Sequence, residues 1–275
     1  MKISIKLLLI LIMCMVILFF SPRKVNRFGG EFGGIEMKAD KARLTTLYDN
    51  YAHSSGLKTG WGFSCFIELE NETILFDTGG DSDTLLYNMK KMGKDPKAID
   101  NIVLSHIHGD HTGGLRGVLE VNPDVTVYLP ESFPESFKDD VKSHGSKVVE
   151  VRDSIKISEN VISTGELGFT VKEQSLVIST EKGLVVITGC AHPGVANIVK
   201  EVKKLVNGEM YLVLGGFHLA WTSDSGIRDI IKSFRELGVR KVSPSHCSGD
   251  RAKELFAEEY EDDFIDNGVG MVIEL

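Results

Sequence analysis

The hydrophobic pattern opens with an unbroken apolar run, Leu7 to Phe20, preceded by Lys2 and Lys6 and closed by Ser21-Pro22-Arg23-Lys24. A basic start followed by an apolar centre is the layout of an export signal. No small-x-small cleavage site precedes Ser21, so residues 1–24 are expected to form an uncleaved signal-anchor or, second, a cleaved signal peptide. Counted from Ile3, such a helix is about 27 Å long at ~1.5 Å per residue, barely enough to span a bilayer. Residues 25–42 repeat Phe-Gly-Gly at 28–30 and 32–34 without apolar periodicity, the composition of a flexible tether. A membrane-anchored, extracytoplasmic body starting at Arg43 is expected, with a secreted one as the alternative. Arg23, Lys24 and Arg27 on the far side of the run compete with that orientation.

Past the tether the pattern changes to short β-type runs. Leu44–Tyr48, Phe63–Leu69 and Thr73–Phe76 read as strands, the last two joined by Glu70-Asn71-Glu72. Asp83–Met92 has helical periodicity, Ile99–Ser105 reads as a strand, Gly114–Glu120 begins a helix, and Val125–Leu129 is another strand. Residues 130–173 show only weak β candidates, Lys147–Val151 and Val161–Ser163. Ser175–Thr180 and Leu184–Thr188 form a hairpin across Glu181-Lys182-Gly183. Helices over Val195–Val206, Ile227–Leu237 and Ala252–Tyr260 then alternate with strands at Met210–Leu214, Lys241–Ser243 and Val269–Leu275. A β-rich first half followed by alternating helices and strands fits sheets sandwiched between helices.

Composition narrows the function more than the fold. The chain has 275 residues and a net charge of −8, and no Lys/Arg run supplies the basic stripe that a nucleic-acid groove needs. Of the four cysteines, Cys14 falls in the apolar run. Cys65, Cys190 and Cys247 are an odd set without C-x-x-C spacing, which argues against a disulfide framework. Cys190 and Cys247 each stand within two residues of a histidine; packed, inert thiols are the expected reading, with metal ligation the alternative.

The chemistry concentrates in Ser105-His106-Ile107-His108-Gly109-Asp110-His111-Thr112-Gly113-Gly114. Three imidazoles and a carboxylate within six residues, just past Ile102-Val103-Leu104, suit a transition metal, most readily zinc. Along an extended strand end His106, His108 and Asp110 would share one side, and His111 would join them only if the chain turns at Gly109. His192, His218 and His246 occupy three more glycine-rich strand ends, and Asp77 closes the run Ile74-Leu75-Phe76.

Assembled, these residues resemble the metallo-β-lactamase superfamily of metal-dependent hydrolases. Its H-x-H-x-D-H motif is matched by His106, His108, Asp110 and His111, its strand-end Asp by Asp77, and its third-motif and last-motif histidines by His192 and His246. The stretches 186–194, 214–219 and 245–249 look like the branch that includes archaeal 7,8-dihydropterin-6-methyl-4-(ribofuranosyl)aminobenzene-phosphate synthase and many bacterial hydrolases. The resemblance implies a four-layer αββα sandwich over residues 43–275, preceded by the N-terminal hydrophobic helix. It also implies two divalent metal ions, zinc first and manganese or iron as alternatives. His106, His108 and His192 would hold one ion, and Asp110, His111 and His246 the other. Asp77 would orient a ligand imidazole, and Asp110 would accept a proton while hydroxide from the metals attacks a phosphoester or other small anionic ester. Many members carry a bridging Asp at the fourth motif; here Gly215-Gly216-Phe217-His218 stands instead, with His218 a substitute ligand or a substrate-facing acid. Transfer chemistry like that of the archaeal synthase, and a non-enzymatic metal-stabilised binding or sensing role, are the competing expectations. A small-molecule substrate, membrane attachment through the N-terminal segment and no nucleic acid complete the expected partners.

Overall fold

Period-two alternation decides the layering. In β1 (Ala42–Tyr48), β2 (Ser64–Leu69) and β3 (Thr73–Phe76) apolar side chains point to both faces. Leu47, Phe66 and Leu75 enter one core, whereas Leu44, Cys65, Ile67, Ile74 and Phe76 enter another. Strands buried on both sides need a cover on each. The computed structural model describes Ala39 and residues 41–275.

After β3 the chain runs through α1 (Ser82–Lys91), β4 (Asn101–Val103), the single-turn α2 (Gly109–Thr112), α3 (Leu115–Val121), β5 (Thr126–Pro130), α4 (Glu135–Ser143) and β6 (Lys147–Val151). Strands β3 to β6 pair in parallel, so the crossover segments return over one face and the strand ends collect at one edge. The second sheet starts with β7 (Ile155–Lys156), β8 (Val161–Ser163), β9 (Leu176–Thr180) and β10 (Gly183–Thr188), which are antiparallel neighbours. It continues through α5 (Val195–Leu205), β11 (Met210–Gly216), α6 (Asp224–Glu236), β12 (Lys241–Ser245) and α7 (Asp250–Tyr260), with β10, β11 and β12 parallel. Finally β13 (Val272–Glu274) returns to pair with β1, closing a seven-stranded sheet β13-β1-β2-β3-β4-β5-β6 opposite a six-stranded sheet β12-β11-β10-β9-β8-β7.

Three cores follow from this order. Val185, Ile187, Leu212 and Leu214 of the second sheet meet the inward side chains of the first between the sheets. One outer core packs Leu85, Met89, Val118 and Val141 of α1, α3 and α4 on the first sheet. The other packs Ile198, Val202, Ile231, Phe234 and Phe256 of α5, α6 and α7 on the second. Helix, sheet, sheet, helix is the expected four-layer arrangement.

Some expectations change. The strand leading to the histidine motif ends at Val103, short of the expected Ser105, and the chain turns at Gly109 into a helix: His108 caps α2, and Asp110 and His111 belong to that turn. Structure also begins before Arg43, since Ala42 opens β1 and the Ala39 N–H donates to the Ser179 carbonyl at 2.9 Å. The membrane-anchored placement is withdrawn: among the described residues no helix is long and apolar enough to cross a membrane. The Leu7–Phe20 run, the expected signal-anchor, lies outside the described residues.

Candidate metal centre

The parallel strands deposit their carboxyl ends at one edge, where layered α/β folds gather binding groups. Asn50 follows β1, Asp77 follows β3, His106 follows β4, His192 follows β10, His218 follows β11, and His246 follows β12. Four residues with left-handed backbone, Asp77 (φ 54°), Ala191 (φ 59°), His218 (φ 56°) and His246 (φ 50°), stand at these strand ends. Non-glycine residues adopt that region at a cost of order 1–3 kcal/mol, so the surrounding packing and hydrogen bonds must hold them there.

Ligand-type atoms gather into groups whose members lie within 4.8 Å of one another. One group is His106, His108 and His192; a second is Asp110, His111, His246 and Cys190. The rings are contiguous: the His106 centroid is 4.3 Å from that of His111 and 4.6 Å from that of His192. His218 stacks on His192 at 4.6 Å and groups with Cys190 and Cys247, outside both histidine-aspartate groups. Asp110 faces His246 Nε2 at 3.3 Å and His111 Nε2 at 3.7 Å, the two histidines it was expected to join.

Tautomers can be worked out from the partners. Asp77 Oδ2 accepts from His111 Nδ1 at 2.7 Å, and Glu173 Oε2 accepts from His192 Nδ1 at 2.9 Å. The Asn50 amide nitrogen donates to the His246 carbonyl at 3.1 Å, which leaves its Oδ1 to accept from His246 Nδ1 at 2.9 Å. The Ser105 hydroxyl donates to Asp77 Oδ2 at 2.7 Å, so its oxygen accepts from His106 Nδ1 at 2.9 Å. Four rings therefore carry their proton on Nδ1 and aim the Nε2 lone pair inward. His246 Nε2 is buried without a hydrogen-bond partner; the nearby Asp110 oxygen is itself an acceptor. Acceptors facing acceptors in a buried site repel unless a cation lies between them, and this donor set of imidazole, carboxylate and thiol fits a divalent metal.

Burial leads at each of the enclosed groups. With the neighbouring imidazoles, it pushes His106 far below the ordinary histidine range, so that ring stays neutral as a ligand must. It pushes the Asp77 carboxyl up, against the His111 and Ser105 bonds that favour its charge. It opposes a charged His111 too, yet the Asp77 carboxylate raises that ring above its usual value.

Three positioning residues escape a reading of the sequence. Glu173 is 1% exposed, and its carboxylate accepts the backbone N–H groups of Cys190, Ala191 and His192 at 2.8–2.9 Å as well as the His192 ring. Burial would raise its carboxyl, but these donors hold it below the ordinary range. Gln174 ties the first sheet to the second: its N–H donates to the Ser105 carbonyl at 2.9 Å and its side-chain amide to the Leu104 carbonyl at 2.9 Å. Asn50 is the third. Only the strand-end position of Asn50 offered any signal; Glu173 and Gln174 follow a stretch without periodicity.

Comparison with known proteins agrees with this architecture. Residues 62–246 match the Metallo-beta-lactamase superfamily. The chain is 33% identical to 7,8-dihydropterin-6-methyl-4-(beta-D-ribofuranosyl)-aminobenzene-5'-phosphate synthase of Methanocaldococcus jannaschii, over 86% of this chain and 97% of that protein. Among solved structures it is similar to a metal-dependent hydrolase of the β-lactamase superfamily, at 30% identity and a TM-score of 0.73, covering 85% of this chain and 99% of that one. A diphosphatase of the PhnP family, at 15% identity, TM-score 0.59 and coverage of 86% and 97%, shares the fold. With the match spanning both sheets and every strand end that carries a histidine of the two groups, the chain belongs to the metallo-β-lactamase superfamily.

Proposed function

We propose that the chain is a dinuclear metal-dependent hydrolase acting on a phosphoester or another small anionic ester. The observation that carries this reading is the convergence of inward lone pairs on two neighbouring groups, with His246 Nε2 buried and unpartnered. His106, His108 and His192 would hold one ion, and Asp110, His111 and His246 the other. Zinc suits nitrogen, oxygen and sulfur donors best, with manganese or iron as alternatives. Such ions supply Lewis acidity, lowering the pKa of a water to ~7 and offsetting charge on an anionic substrate.

The protein's own groups do the rest. Asp77, Glu173, Asn50 and Ser105 fix the four imidazoles before any substrate arrives, so no reorganisation is needed during reaction. Asp110, 21% exposed at its side chain, is both a ligand and the nearest carboxylate to accept a proton. His218, its ring 4.6 Å from that of His192, is placed to donate to a substrate oxygen.

Metal analysis followed by a chromogenic panel of phosphodiester, phosphomonoester, thioester, lactone and β-lactam tests this reading. Turnover of an ester that disappears on chelation and returns with zinc is expected; unchanged turnover after complete metal removal would falsify it.

A second reading is transfer chemistry like that of the archaeal synthase. It is favoured by 33% identity over nearly the whole of both chains. It is also favoured by the exposed large apolar side chains Trp61, Ile107, Phe169 and Trp221, which lie on segments that carry or flank site residues and suit an aromatic substrate. The Trp61 ring lies 5.0 Å from that of His246. Condensation of a dihydropterin pyrophosphate with a ribofuranosylaminobenzene phosphate, with release of pyrophosphate, followed by chromatography, separates the two readings. Product formation selects the second, and its absence beside metal-dependent ester cleavage selects the first.

A further inference from the structure

The fourth-motif stretch Gly215-Gly216-Phe217-His218 offers no carboxylate where many superfamily members place a metal-bridging one. Its geometry explains what stands there instead. A Cβ built on Gly216 would lie 2.7 Å from Cys247 Sγ, 3.3 Å from Cys190 Cα and 2.3 Å from the Gly189 carbonyl. The space that a fourth-motif side chain would enter is therefore filled by the two cysteine loops. Cys190 Sγ is 3.2 Å from His111 Nε2, whose Nδ1 is committed to Asp77, and it lies within 4.8 Å of the ligand atoms of Asp110 and His246.

We infer that Cys190 supplies a sulfur ligand to the ion held by Asp110, His111 and His246, in place of the absent fourth-motif carboxylate. The inference rests on the two-metal reading of the site. Its second support is independent of the cysteine: His246, 1% exposed, aims an unpartnered Nε2 into the same space. Carboxylate, two imidazoles and a thiolate make a four-ligand set of the kind zinc takes.

The loop is built to hold the sulfur still. Glu173 Oε1 accepts the Cys190 and Ala191 N–H groups at 2.9 and 2.8 Å, and Ala191 takes the left-handed backbone that turns the chain between Cys190 and His192. The Cys247 thiol donates to the Cys190 carbonyl at 3.6 Å, so Cys247 braces the backbone from behind. Binding is an exchange: the cation takes the sulfur, and one proton leaves the thiol for solvent.

Cobalt(II) substitution of the full chain tests this, read by absorption, since a thiolate–cobalt bond gives a near-ultraviolet charge-transfer band that nitrogen and oxygen ligands do not. The band is expected in the wild type and in Cys247→Ala, and it is expected to be lost in Cys190→Ser with one cobalt bound at least tenfold more weakly. Cadmium-113 resonance of the wild type provides a check that needs no variant to fold: one of two signals should lie in the range for a site with a single sulfur. Two bound ions without a sulfur signature overturn the Cys190 assignment and leave the two-metal reading standing. A band that survives Cys190→Ser and vanishes in Cys247→Ala also overturns it. Failure to bind cobalt or cadmium at all overturns both.

Discussion

The two candidate ligand groups share imidazoles, and their histidines sit at different depths. In one, His108 is exposed, His192 keeps 14% of its side chain accessible, and only His106 is fully enclosed. In the other, His111 and His246 are completely buried at their side chains, and their outer nitrogens are held by Asp77 and Asn50 from distant parts of the chain. His108 can be lost without leaving a buried charge behind. His111 cannot, because its partner Asp77 is itself without solvent contact, and His192 likewise covers the buried Glu173. Access and stability are therefore separated: His108 on one side is open to solvent, while His111 and His246 on the other are part of the core.

The sharpest test of that difference pairs two alanine variants. His111→Ala is expected to cost about 3–5 kcal/mol of stability by stranding Asp77, and to abolish turnover. His108→Ala is expected to lower turnover on the order of 10³-fold, as several kcal/mol of Lewis-acid assistance is lost, while shifting stability by under about 1 kcal/mol. Denaturant melts and ester kinetics on both proteins measure this. Equal losses of stability would erase the contrast between the open and enclosed groups.

Next in size is Glu173→Gln. An amide in place of the carboxylate turns a donor toward the N–H groups of residues 190–192, an unsatisfied buried contact worth about 1–3 kcal/mol. Metal affinity should fall roughly 10- to 100-fold, as for other groups that orient a ligand imidazole. Competition with a fluorescent chelator reads that loss, and unchanged affinity would mean that the His192 loop holds its shape alone. Asn50→Ala should give a smaller loss at the enclosed group, about tenfold. The chelator titration should then show one weakened ion and one unaltered; weakening of both would argue against separable groups.

The smallest effect lies outside the centre. Asp81 caps α1 by accepting the Thr84 N–H at 2.7 Å and also accepts the Tyr48 hydroxyl at 2.7 Å. Though its partial burial opposes the charge, these bonds hold its carboxyl below its ordinary 3.8. A depressed folded value contributes stability that is complete above pH 3.8 and lost as pH falls through the folded value. Asp81→Asn, which keeps an acceptor for the cap, should flatten that acid limb by under about 1 kcal/mol without changing metal content. An unaltered acid limb in melts below pH 4 would refute the assignment.

Much of this was legible in the chain because strand ends announce themselves. Apolar alternation stops, glycines begin, and the histidines stand in that gap at 106–111, 192, 218 and 246. What stayed hidden depends on partners far along the chain. The helix α4 has no visible apolar stripe because Lys138 occupies its buried face. There the ammonium is satisfied by Glu135 and Glu150 at 2.7 Å each and by the Glu131 carbonyl at 2.8 Å. Glu173 looks like any acidic loop residue until the loop at 190–192 closes over it. Asp110 joins His111 rather than His106 because both stand on a helical turn that begins after the strand has ended.

Glu173 and Gln174 are neighbours, and they serve opposite halves of the molecule: one gathers the loop after β10, and the other the loop after β4. Their duties depend on counting. Adjacent side chains on extended backbone leave in different directions, so inserting or deleting a single residue just before them would exchange the two roles and strand both. The hairpin at Glu181-Lys182-Gly183 is exposed at its tip and carries no site residue, so an added residue there can be taken up as a longer loop. Chain length is thus fixed at one point and free at another eight residues away, a contrast that a scan of single-residue insertions, scored by soluble yield, makes visible.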